Sequence, residues 1–516
     1  MNIVVSASDL LTALYNEYSM GQGWKRLNVS ANYCQYQLPT KGVLELNGYK
    51  TDWMNLAHAN FSSNRLWSLS LKYLIDLSKI NSRLAIDILN SFYQTLWLKY
   101  DELQSTLPGS WDHCTAMRIE VLCGLIGSGN DLLASRAFSE LENEIAYALE
   151  PTHIKRNNHG FMLIESVILA SVAFEVYDRN NESLELRRYA EHELAAIFKS
   201  VFGLDGYCNE NSPFYSHLYV HRMKQMLARI KNFESLSEIG SRLSEQIQVA
   251  TVTLEAVLHP DGSIPPMGDS SPMETRIYKS SDGVFASTRT GFWAWKNNGK
   301  YVSFKCGYES LVHKHADDTS ITVRNGSDAF IVDSGFCSFD YSDPRVLMLR
   351  TQRAHSGLYF PSFDHLHPAK IYKAPYKKES RLYDEGGNAV SGSYSLFGGY
   401  FAYRRVKIQS ESYFIVEDWA GSASGDGVVH RFVVPDDVRI EISSSGMTLF
   451  GGESSLKCSF SRRMNYEISS GQESSPHKGW ISTNPGSVVP ARCIELTSQV
   501  FTVDPVQFQF QFSSAK

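Results

Sequence analysis

Two histidines one residue apart stand in the segment VHKHADDTS, residues 312–320. In an extended chain His313 and His315 would share one face, because side chains at i and i+2 point to the same side of a strand. Imidazole groups on one face suit a metal ion, a general base, or one of each. The segment therefore marks a candidate site.

Two further residues of metal-binding type follow in the same half of the chain, Asp333 in FIVDSG and His355 in RAHSG. Histidine and aspartate are ordinary zinc ligands, and ligands from neighbouring strands can converge on one ion. A polar cluster at the edge of the strands is the alternative interpretation. Spacing alone leaves both open.

The N-terminal half has two segments whose residues could take part in proton transfer. KRNNHGFMLIES (155–166) places Asn158 and His159 before a long apolar helix, where helix capping is the alternative role for asparagine. DGYCNENSPFYSHLYVHRMK (205–224) surrounds a Ser-Pro helix start with Glu210, Tyr215, His217, Tyr219 and His221. Tyr215 and Tyr219 are four residues apart and share a helix face, although either could be an ordinary aromatic of the core or surface.

The spacing of apolar residues predicts the elements that must position these groups. From about residue 60 to about residue 258 the spacing is three and four, which indicates some eight helices in series. Short loops between them favour helical hairpins packed in a bundle, solenoid or toroid. The segment 259–272 is dense in Pro, Gly, Asp and Ser and predicts a boundary. Beyond it the period is two, and Asn325-Gly326 is a hairpin-turn signal, so the second half is predicted as an antiparallel β-sandwich.

Composition limits the classes of protein that the chain can belong to. Its 516 residues favour two to four domains, and 43% apolar with 12% aromatic residues indicates a folded protein. The net charge of -6 is well mixed along the chain, so we expect neither a nucleic acid nor a membrane as partner. The eight cysteines lack any CxxC spacing, which predicts buried free thiols rather than a disulfide framework.

Neither a signal peptide nor a membrane span is evident in the sequence. The first twenty residues lack a basic region followed by an apolar core and a cleavage site, so the sequence predicts a cytoplasmic protein, with a periplasmic or secreted location as the alternative. The most apolar run, FMLIESVILASVAFEV (161–176), is short and contains two glutamates, which favours a core helix.

The motifs RNNHG, NENSPFYSHLY, MGDSS, HKHADDTSITVRNGSDAFIVDSG and RAHSG, in this order, resemble those of the heparinase II/III-like polysaccharide lyases, which include oligo-alginate lyases. SWDHCTAMRI (110–119) is also similar to a motif of their helical domain. The resemblance runs from about residue 100 to about residue 435, and His-x-His-Ala-Asp with its downstream Asp-x-Gly is its most specific part.

The resemblance implies an α+β multidomain fold, an N-terminal (α/α) toroid followed by a C-terminal antiparallel β-sandwich. Combined with the periodicity, it divides the chain into a lead-in segment at 1–60, a toroid at 61–272 and a sandwich at 273–516. We expect the active site to lie in the cleft between the two domains, where ligand sites are common.

The resemblance also implies a reaction, β-elimination on an anionic polysaccharide or oligosaccharide that contains uronic acid. Donors that neutralise the uronate carboxylate make the C5 proton removable, a base takes it, and an acid protonates the departing glycosidic oxygen. By similarity, Asn158 neutralises the carboxylate and His159 is a helper, or the base for one C5 configuration. Tyr215 is base and acid, and His313 assists.

By the same resemblance, His315, Asp333 and His355 match positions that hold a zinc ion, which we interpret as structural because elimination needs no metal hydroxide. The segment around His355 reads AHSGLYF where the family more often has His-Asn-Thr, so His365 and His367 are alternative third ligands. Five basic residues next to the proposed site could attract a polyanion: Lys155, Arg156, Arg222, Lys314 and Arg353.

Two other functions remain open from the sequence. A glycoside hydrolase would need two carboxylates across the scissile bond, for which the candidates are Asp205, Glu210, Asp269 and Asp317. A non-catalytic carbohydrate-binding protein of the same fold would bind oligosaccharides without turnover.

Overall fold

The structure is a computed structural model of the chain. It describes residues 6–18, 24–38, 42–57, 62–99, 111–273, 275, 278–425, 427–498 and 504–514. The chain divides into two compact units, one made of Met1–Val201 with Arg222–Glu245 and the other of Phe202–His221 with Gln246–Lys516. The boundaries predicted at residues 60 and 272 stay predictions.

The first unit is mainly helical, as the period of three and four predicted. Its helices are α1 (Ala7–Glu17), α2 (Trp53–Ala57), α3 (Ser62–Leu69), α4 (Tyr73–Ser78), α5 (Ser82–Thr95), α6 (Trp111–Ile126), α7 (Asp131–Ala148), α8 (Asn158–Val176) and α9 (Asn180–Val201). Two more helices, α10 (Pro213–Ile230) and α11 (Ser237–Val257), have residues in both units.

Helices α6 and α8 form the core of this unit. Helix α6 packs against α1, α3, α4, α7 and α8, and α8 packs against α1, α6, α7 and α9. Nearly every side chain of both helices is buried, as expected for helices that are apolar on all sides. By length and composition α8 could cross a membrane, but 78% of it is buried inside the protein, and a core helix meets the same test.

One buried ion pair explains part of the motif SWDHCTAMRI. Arg118 of α6 is fully buried, and its guanidinium donates to both carboxylate oxygens of Glu144 on α7 and to the carbonyl oxygen of Leu69. Tyr93 on α5 donates to the same carboxylate over 2.6 Å. Four helices are thus joined through Arg118, which makes this part of the motif structural.

Residues 25–46 form a small sheet for which the sequence analysis gave no expectation. Its antiparallel strands, in the order β1-β2-β3, are β1 (Lys25–Val29), β2 (Cys34–Gln37) and β3 (Val43–Leu46). Cys34 and Tyr36 of β2 are fully buried, so the sheet has an apolar face. The predicted lead-in segment therefore contains regular structure.

The second unit is built from three sheets in which all described strand pairs are antiparallel. A five-stranded sheet has the order β4 (Gly283–Ser287), β5 (Phe292–Asn297), β6 (Lys300–Lys305), β7 (Ser320–Asn325) and β8 (Asp328–Ile331). An eight-stranded sheet has the order β10 (Glu379–Asp384), β11 (Ala389–Leu396), β12 (Tyr400–Ser410), β13 (Tyr413–Gly421), β21 (Val506–Ser514), β17 (Ser454–Phe460), β16 (Gly446–Phe450) and β15 (Arg439–Ser443).

The third sheet has the order β18 (Asn465–Ser470), β20 (Ser487–Ser498), β14 (Val428–Pro435) and β9 (Leu358–Tyr359), and β19 (Trp480–Asn484) pairs with β20. Short helices α12 (Pro344–Met348) and α13 (Pro368–Ile371) lie in the connections. Apolar side chains of all three sheets form one core cluster. The predicted order of a helical half followed by antiparallel sheets is confirmed.

Local features of the β half also follow the sequence prediction. Buried and less buried residues alternate along β12, β13 and β21, as a period of two requires. The predicted turn Asn325-Gly326 joins β7 to β8, and Gly326 has the positive φ of +57° that glycine tolerates. All eight cysteines are free and buried, which confirms the prediction of free thiols.

Arg404 and Asp418, which lie opposite each other on β12 and β13, form a fully buried ion pair. The guanidinium donates to both carboxylate oxygens over 2.6 and 2.7 Å and to the carbonyl oxygens of Thr319 and Ser356. The Arg404→Ala variant should lose about 3–5 kcal/mol of unfolding free energy, because it leaves a buried carboxylate without its cation.

Urea unfolding followed by circular dichroism measures this loss, with Arg439→Ala as the control. Arg439 pairs with Glu441 on the surface, where ion pairs contribute little, so the control should unfold almost like the wild type. Equal losses in the two variants would show that burial of the Arg404 pair has no special weight.

Candidate active site and metal cluster

Helix α10 carries Tyr215 in its first turn, and polar contacts define where the helix begins. Proline suits the first helical position of Pro213, because its fixed φ matches the helix. Ser270 Oγ accepts a hydrogen bond from the amide of Phe214 over 3.1 Å and lies 2.7 Å from Ser212 Oγ. Two buried serines therefore contact the start of the helix and fix the position of Tyr215.

His313 lies in the loop between β6 and β7 with a φ of +55°. The expectation that His313 and His315 share the face of an extended strand is wrong, because this backbone conformation is left-handed. A residue other than glycine in that region costs of order 1 kcal/mol or more, and such residues cluster at functional sites. The surrounding structure must therefore hold the loop in place.

Asn211 and Gly268 provide that support. Asn211 Nδ2 donates to the carbonyl oxygens of Ser310 and Val312 over 2.7 and 3.0 Å. Gly268 has a φ of +54°, and a Cβ atom there would lie 2.4 Å from the carbonyl oxygen of Asn211 and 2.8 Å from that of His313. Only glycine allows the three backbone segments to approach this closely.

The rings of Tyr215 and His313 stack on each other. Their centroids are 3.6 Å apart and their planes differ by 18°. Phe339 lies farther out, with its ring centroid 6.4 Å from that of His313. The two residues that the resemblance assigned to proton transfer are therefore in direct contact.

His313 is held between two carboxylates. Its Nδ1 atom donates to Asp269 Oδ2 over 2.8 Å, and its Nε2 atom is 3.4 Å from Glu210 Oε2. Tyr219 donates to the other oxygen of Glu210 over 2.6 Å. Burial alone would lower the pKa of His313, but hydrogen bonds with Asp269 and Glu210 outweigh it and raise this pKa above its ordinary value. The site therefore favours the imidazolium form.

Asp269 contacts three other polar side chains. Its Oδ1 atom accepts a hydrogen bond from His315 Nε2 over 2.9 Å, and its Oδ2 atom is 3.3 Å from Arg350 Nη2. Burial would raise the pKa of Asp269, but His313, His315 and Arg350 hold it well below the ordinary value. Asp269 is therefore ionised.

Tyr215 is protonated in this environment. Burial, followed by the charges of Asp269 and Glu210, raises its pKa well above the ordinary value, and Arg350 opposes the effect only in part. A phenol with a raised pKa gives up its proton only when a cationic neighbour stabilises the phenolate. The stacked His313 is such a neighbour.

His315, Asp333 and His355 form a group whose potential ligand atoms all lie within 4.8 Å of one another. All three are buried, with exposed fractions of 0%, 2% and 0%. His355 Nδ1 is 3.0 and 3.1 Å from the two oxygens of Asp333. His355 Nδ1 therefore donates to Asp333 and leaves Nε2 as the candidate ligand atom of this ring.

The hydrogen bonds of the cluster also fit a metal ion. His315 Nδ1 and His355 Nε2 are buried and have no hydrogen-bond partner among the described residues. A metal ligand needs such a free lone pair, while its other nitrogen commonly donates to a carboxylate, as His315 Nε2 does to Asp269. The residues present therefore fit a divalent cation such as zinc.

The alternative third ligands lie outside this group. His365 is exposed, and His367 Nδ1 accepts a hydrogen bond from the amide of Ala369 at the start of α13. The structure brings His355 rather than either alternative to His315.

The first unit holds Asn158 and His159 at the start of α8. Asn157 is the capping residue, since its Oδ1 atom accepts from the amides of His159 and Gly160 over 3.0 and 3.4 Å. A Cβ atom on Gly160 would lie 1.8 Å from the carbonyl oxygen of Lys155, so the helix start requires glycine there. The capping role proposed as the alternative for Asn158 therefore belongs to its neighbour.

His159 is oriented by Asp112 of α6. Its Nδ1 atom lies 3.1 Å from Asp112 Oδ1, and Lys155 Nζ is 2.7 Å from Asp112 Oδ2. Burial would raise the pKa of Asp112, but His159 and Lys155 lower it to about 2. His113 packs near His159, and its burial lowers its pKa to about 3. His113 is therefore neutral near pH 7.

The basic residues expected to attract a polyanion are all compensated by carboxylates. The ion pairs are Lys155 with Asp112, Arg156 with Glu193, Arg222 with Glu165, Arg353 with Asp364, and Lys314 with Asp317 and Asp318. For Lys314 the expectation is wrong, because its side chain is fully buried. Its charge stabilises the loop and is unavailable to a polymer.

Four residues of these clusters had no role of this kind in the sequence analysis: Asp112, Glu210, Asp269 and Arg350. Asp269 entered as a candidate hydrolase carboxylate, and Glu210 as such a carboxylate and as one of the residues around the Ser-Pro helix start. Asp112 lies in the motif SWDHCTAMRI and Asp269 in MGDSS, and this position inside a motif was the one indication of a role in the site. Arg350 lies in none of the quoted motifs.

The helical unit, the unit of antiparallel sheets, the Tyr215–His313 pair and the cluster of His315, Asp333 and His355 are features that the quoted motifs predicted. The comparisons with known proteins agree with the predicted family. Residues 281–506 match the family model described as Heparinase II/III-like, C-terminal, which confirms the resemblance to the heparinase II/III-like family. No curated protein sequence matches the chain.

Solved structures of the same fold include heparan sulfate lyase HepC from Pedobacter heparinus, in a mutant form, with a TM-score of 0.66 and 13% identity. That match covers 99% of this chain and 89% of the other. A structure of heparinase III matches with a TM-score of 0.66 and 12% identity over 100% of this chain and 86% of the other. At such a low sequence identity, the structural similarity establishes the fold alone.

Proposed function

We propose that this protein is a polysaccharide lyase that cleaves an anionic polysaccharide or oligosaccharide containing uronic acid by β-elimination. The observation that carries the proposal is the stack of Tyr215 on His313, with His313 held between Asp269 and Glu210. Such an arrangement suits proton transfer, because it combines a phenol with a neighbouring imidazolium. The similar solved structures are those of a heparan sulfate lyase and a heparinase, which supports this class.

In this mechanism Tyr215 transfers one proton. Before the substrate reacts, Tyr215 loses its phenolic proton to solvent, and the adjacent imidazolium of His313 stabilises the phenolate. The phenolate oxygen then takes the C5 proton of the uronate. The electrons of the C5–H bond form the C4=C5 double bond, and the C4–O bond breaks. Tyr215 then gives the same proton to the departing oxygen, so it ends in its starting state. His313 remains positively charged throughout and stabilises the phenolate.

Asn158 and His159 act on the uronate carboxylate in this proposal. An amide N–H donor that reaches the carboxylate lowers the cost of the negative charge that develops when the C5 proton leaves. The helix cap is provided by Asn157, and Asn158 is the first residue inside the helix. His159, oriented by Asp112, is the helper or the base for one C5 configuration.

We further propose zinc as the ion of the cluster His315, Asp333 and His355. When bound, the ion braces the loop and strands that carry His313 and supplies no nucleophile. The two buried nitrogen atoms without partners support this assignment. A nucleic acid or a membrane as partner is not expected.

The first test is the Tyr215→Phe variant. It should lower turnover by at least about 10²-fold, the contribution typical of a general acid or base, while substrate binding and unfolding temperature stay close to wild type. Formation of the unsaturated, ultraviolet-absorbing product from a panel of uronate polysaccharides, heparan sulfate and alginate included, measures turnover.

The matched control is Tyr219→Phe, because Tyr219 lies one turn beyond Tyr215 on the same helix and donates to Glu210. It should retain more activity than Tyr215→Phe. Comparable activity of Tyr215→Phe and wild type would remove Tyr215 from the mechanism. Binding of oligosaccharides without any turnover by the wild type would favour a non-catalytic protein.

A second test compares two adjacent asparagines. Asn158→Ala should lower turnover strongly with little change in stability, because it removes a donor to the substrate. Asn157→Ala should instead lower the unfolding free energy by about 1 kcal/mol, the usual value of a helix cap, with a smaller effect on turnover. If both substitutions lowered turnover equally, the role of Asn158 would be structural and not catalytic.

A third test concerns the metal. The wild type should contain close to one zinc ion per chain by elemental analysis, and His315→Ala should lose it together with thermal stability, because binding to the folded state stabilises that state. The control is His365→Ala, which changes an exposed histidine outside the cluster. Zinc content that is the same in wild type and His315→Ala would refute the assignment.

A further inference from the structure

One carboxylate joins the candidate metal cluster to the candidate catalytic histidine. Asp269 Oδ1 accepts from His315 Nε2 over 2.9 Å, and Asp269 Oδ2 accepts from His313 Nδ1 over 2.8 Å. The carboxylate is 2% exposed, so no bulk water competes for these bonds. The side chains of two histidines with different proposed roles thus depend on a single planar group.

These bonds fix the tautomer of the His315 ring and the orientation of the His313 ring. Because Asp269 occupies the Nε2–H of His315, the lone pair of that ring is at Nδ1, which faces no other described partner and is free for an ion. Because the second oxygen occupies the Nδ1–H of His313, the Nε2 atom of that ring is directed at Glu210. Each histidine is left with one defined functional nitrogen.

The position of Asp269 is itself restricted. Its amide donates to the carbonyl oxygen of His313 over 3.3 Å, and Arg350 Nη2 contacts the oxygen that binds His313. Arg350 also contacts the Tyr341 hydroxyl, which limits its movement. If His315 shifted, the carboxylate of Asp269 would rotate with it. Because Arg350 and the backbone hold the other side of Asp269, this rotation would mainly move the His313 ring.

We propose that Asp269 is a positioning residue through which an ion bound at His315 sets the orientation of the His313 ring against Tyr215. This inference rests on the proposed function, and it goes beyond a general bracing role for the metal, because it assigns the coupling to one side chain. In this arrangement the ion affects turnover without touching the substrate.

Glu210 supplies a matched control. It lies beside the opposite nitrogen of His313 and accepts a hydrogen bond from Tyr219. Glu210→Gln and Asp269→Asn both replace a carboxylate of His313 by an amide of the same shape. Only Asp269→Asn also changes the partner of His315.

The experiment measures zinc affinity by competition with a chromophoric chelator, and kcat and KM by product absorbance, for wild type and both variants. Asp269→Asn should weaken zinc binding by about 10–100-fold, the usual effect of changing the carboxylate that orients a metal-binding histidine. It should lower kcat with little change in KM. Glu210→Gln should lower kcat while zinc affinity stays within about twofold of wild type.

Zinc removal provides the test of coupling. Treatment of the wild type with a chelator should lower kcat, and readdition of zinc should restore it. In Asp269→Asn the same treatment should have a much smaller relative effect, because the connection is already broken and the two changes are not additive. Asp269→Glu serves as the second variant if Asp269→Asn does not fold, and the same lack of additivity is expected.

Wild-type zinc affinity in Asp269→Asn, or an equal loss of affinity in Glu210→Gln, would overturn the inference. So would additive effects of zinc removal and Asp269→Asn on kcat. A wild type that binds zinc but eliminates no uronate would instead refute the proposed function, and with it the coupling to turnover. The coupling through Asp269 and the proposed function are therefore tested by separate measurements.

Discussion

A charge buried away from water must be paired, and this requirement organises the loop that carries the site. Lys314 and Asp317 are fully buried and paired with each other, and Asp318 is paired with both Lys314 and Lys378. Tyr372 donates to Asp318 over 2.6 Å. Isolated charges at such depth would cost several kcal/mol each, so the loop has few alternative conformations.

The ion pairs explain the composition of the segment HKHADD. The two candidate site residues, His313 and His315, flank an anchoring residue, Lys314, and precede two anchoring aspartates. Because Lys314 and the aspartates are directed into the unit, the backbone between them is held with His313 at a positive φ, where its ring stacks on Tyr215. Rigid anchoring of neighbours is the physical basis of a preorganised catalytic group.

The sequence was sufficient for features that depend on near neighbours. The period of two predicted β12, β13 and β21, and the Asn325-Gly326 turn predicted a hairpin that the structure contains. It was insufficient where contacts join distant positions. Asp269 is 44 residues from His313 and 46 from His315, and no local pattern indicates which carboxylate of the chain comes to lie beside them.

The start of α8 shows the same limit at short range. Asn157 and Asn158 are both suitable caps by residue type, and only the backbone decides between them. Asn157 has extended φ and ψ angles of -150° and -170°, as a capping residue requires, whereas Asn158 is the first residue inside the helix. A one-residue difference in register thus separates a stabilising role from a candidate catalytic one.

The distribution of carboxylates argues against hydrolysis. A glycoside hydrolase needs one protonated and one ionised carboxyl group facing the substrate. Asp317 is fully buried against Lys314, and although burial would raise its pKa, Lys314 lowers it. Asp269 is ionised between two histidines, and Asp205 accepts from the amide of Tyr207. Only Glu210 remains, and it contacts His313. β-Elimination requires no pair of carboxyl groups, and a phenol beside an imidazolium is sufficient for its proton transfer.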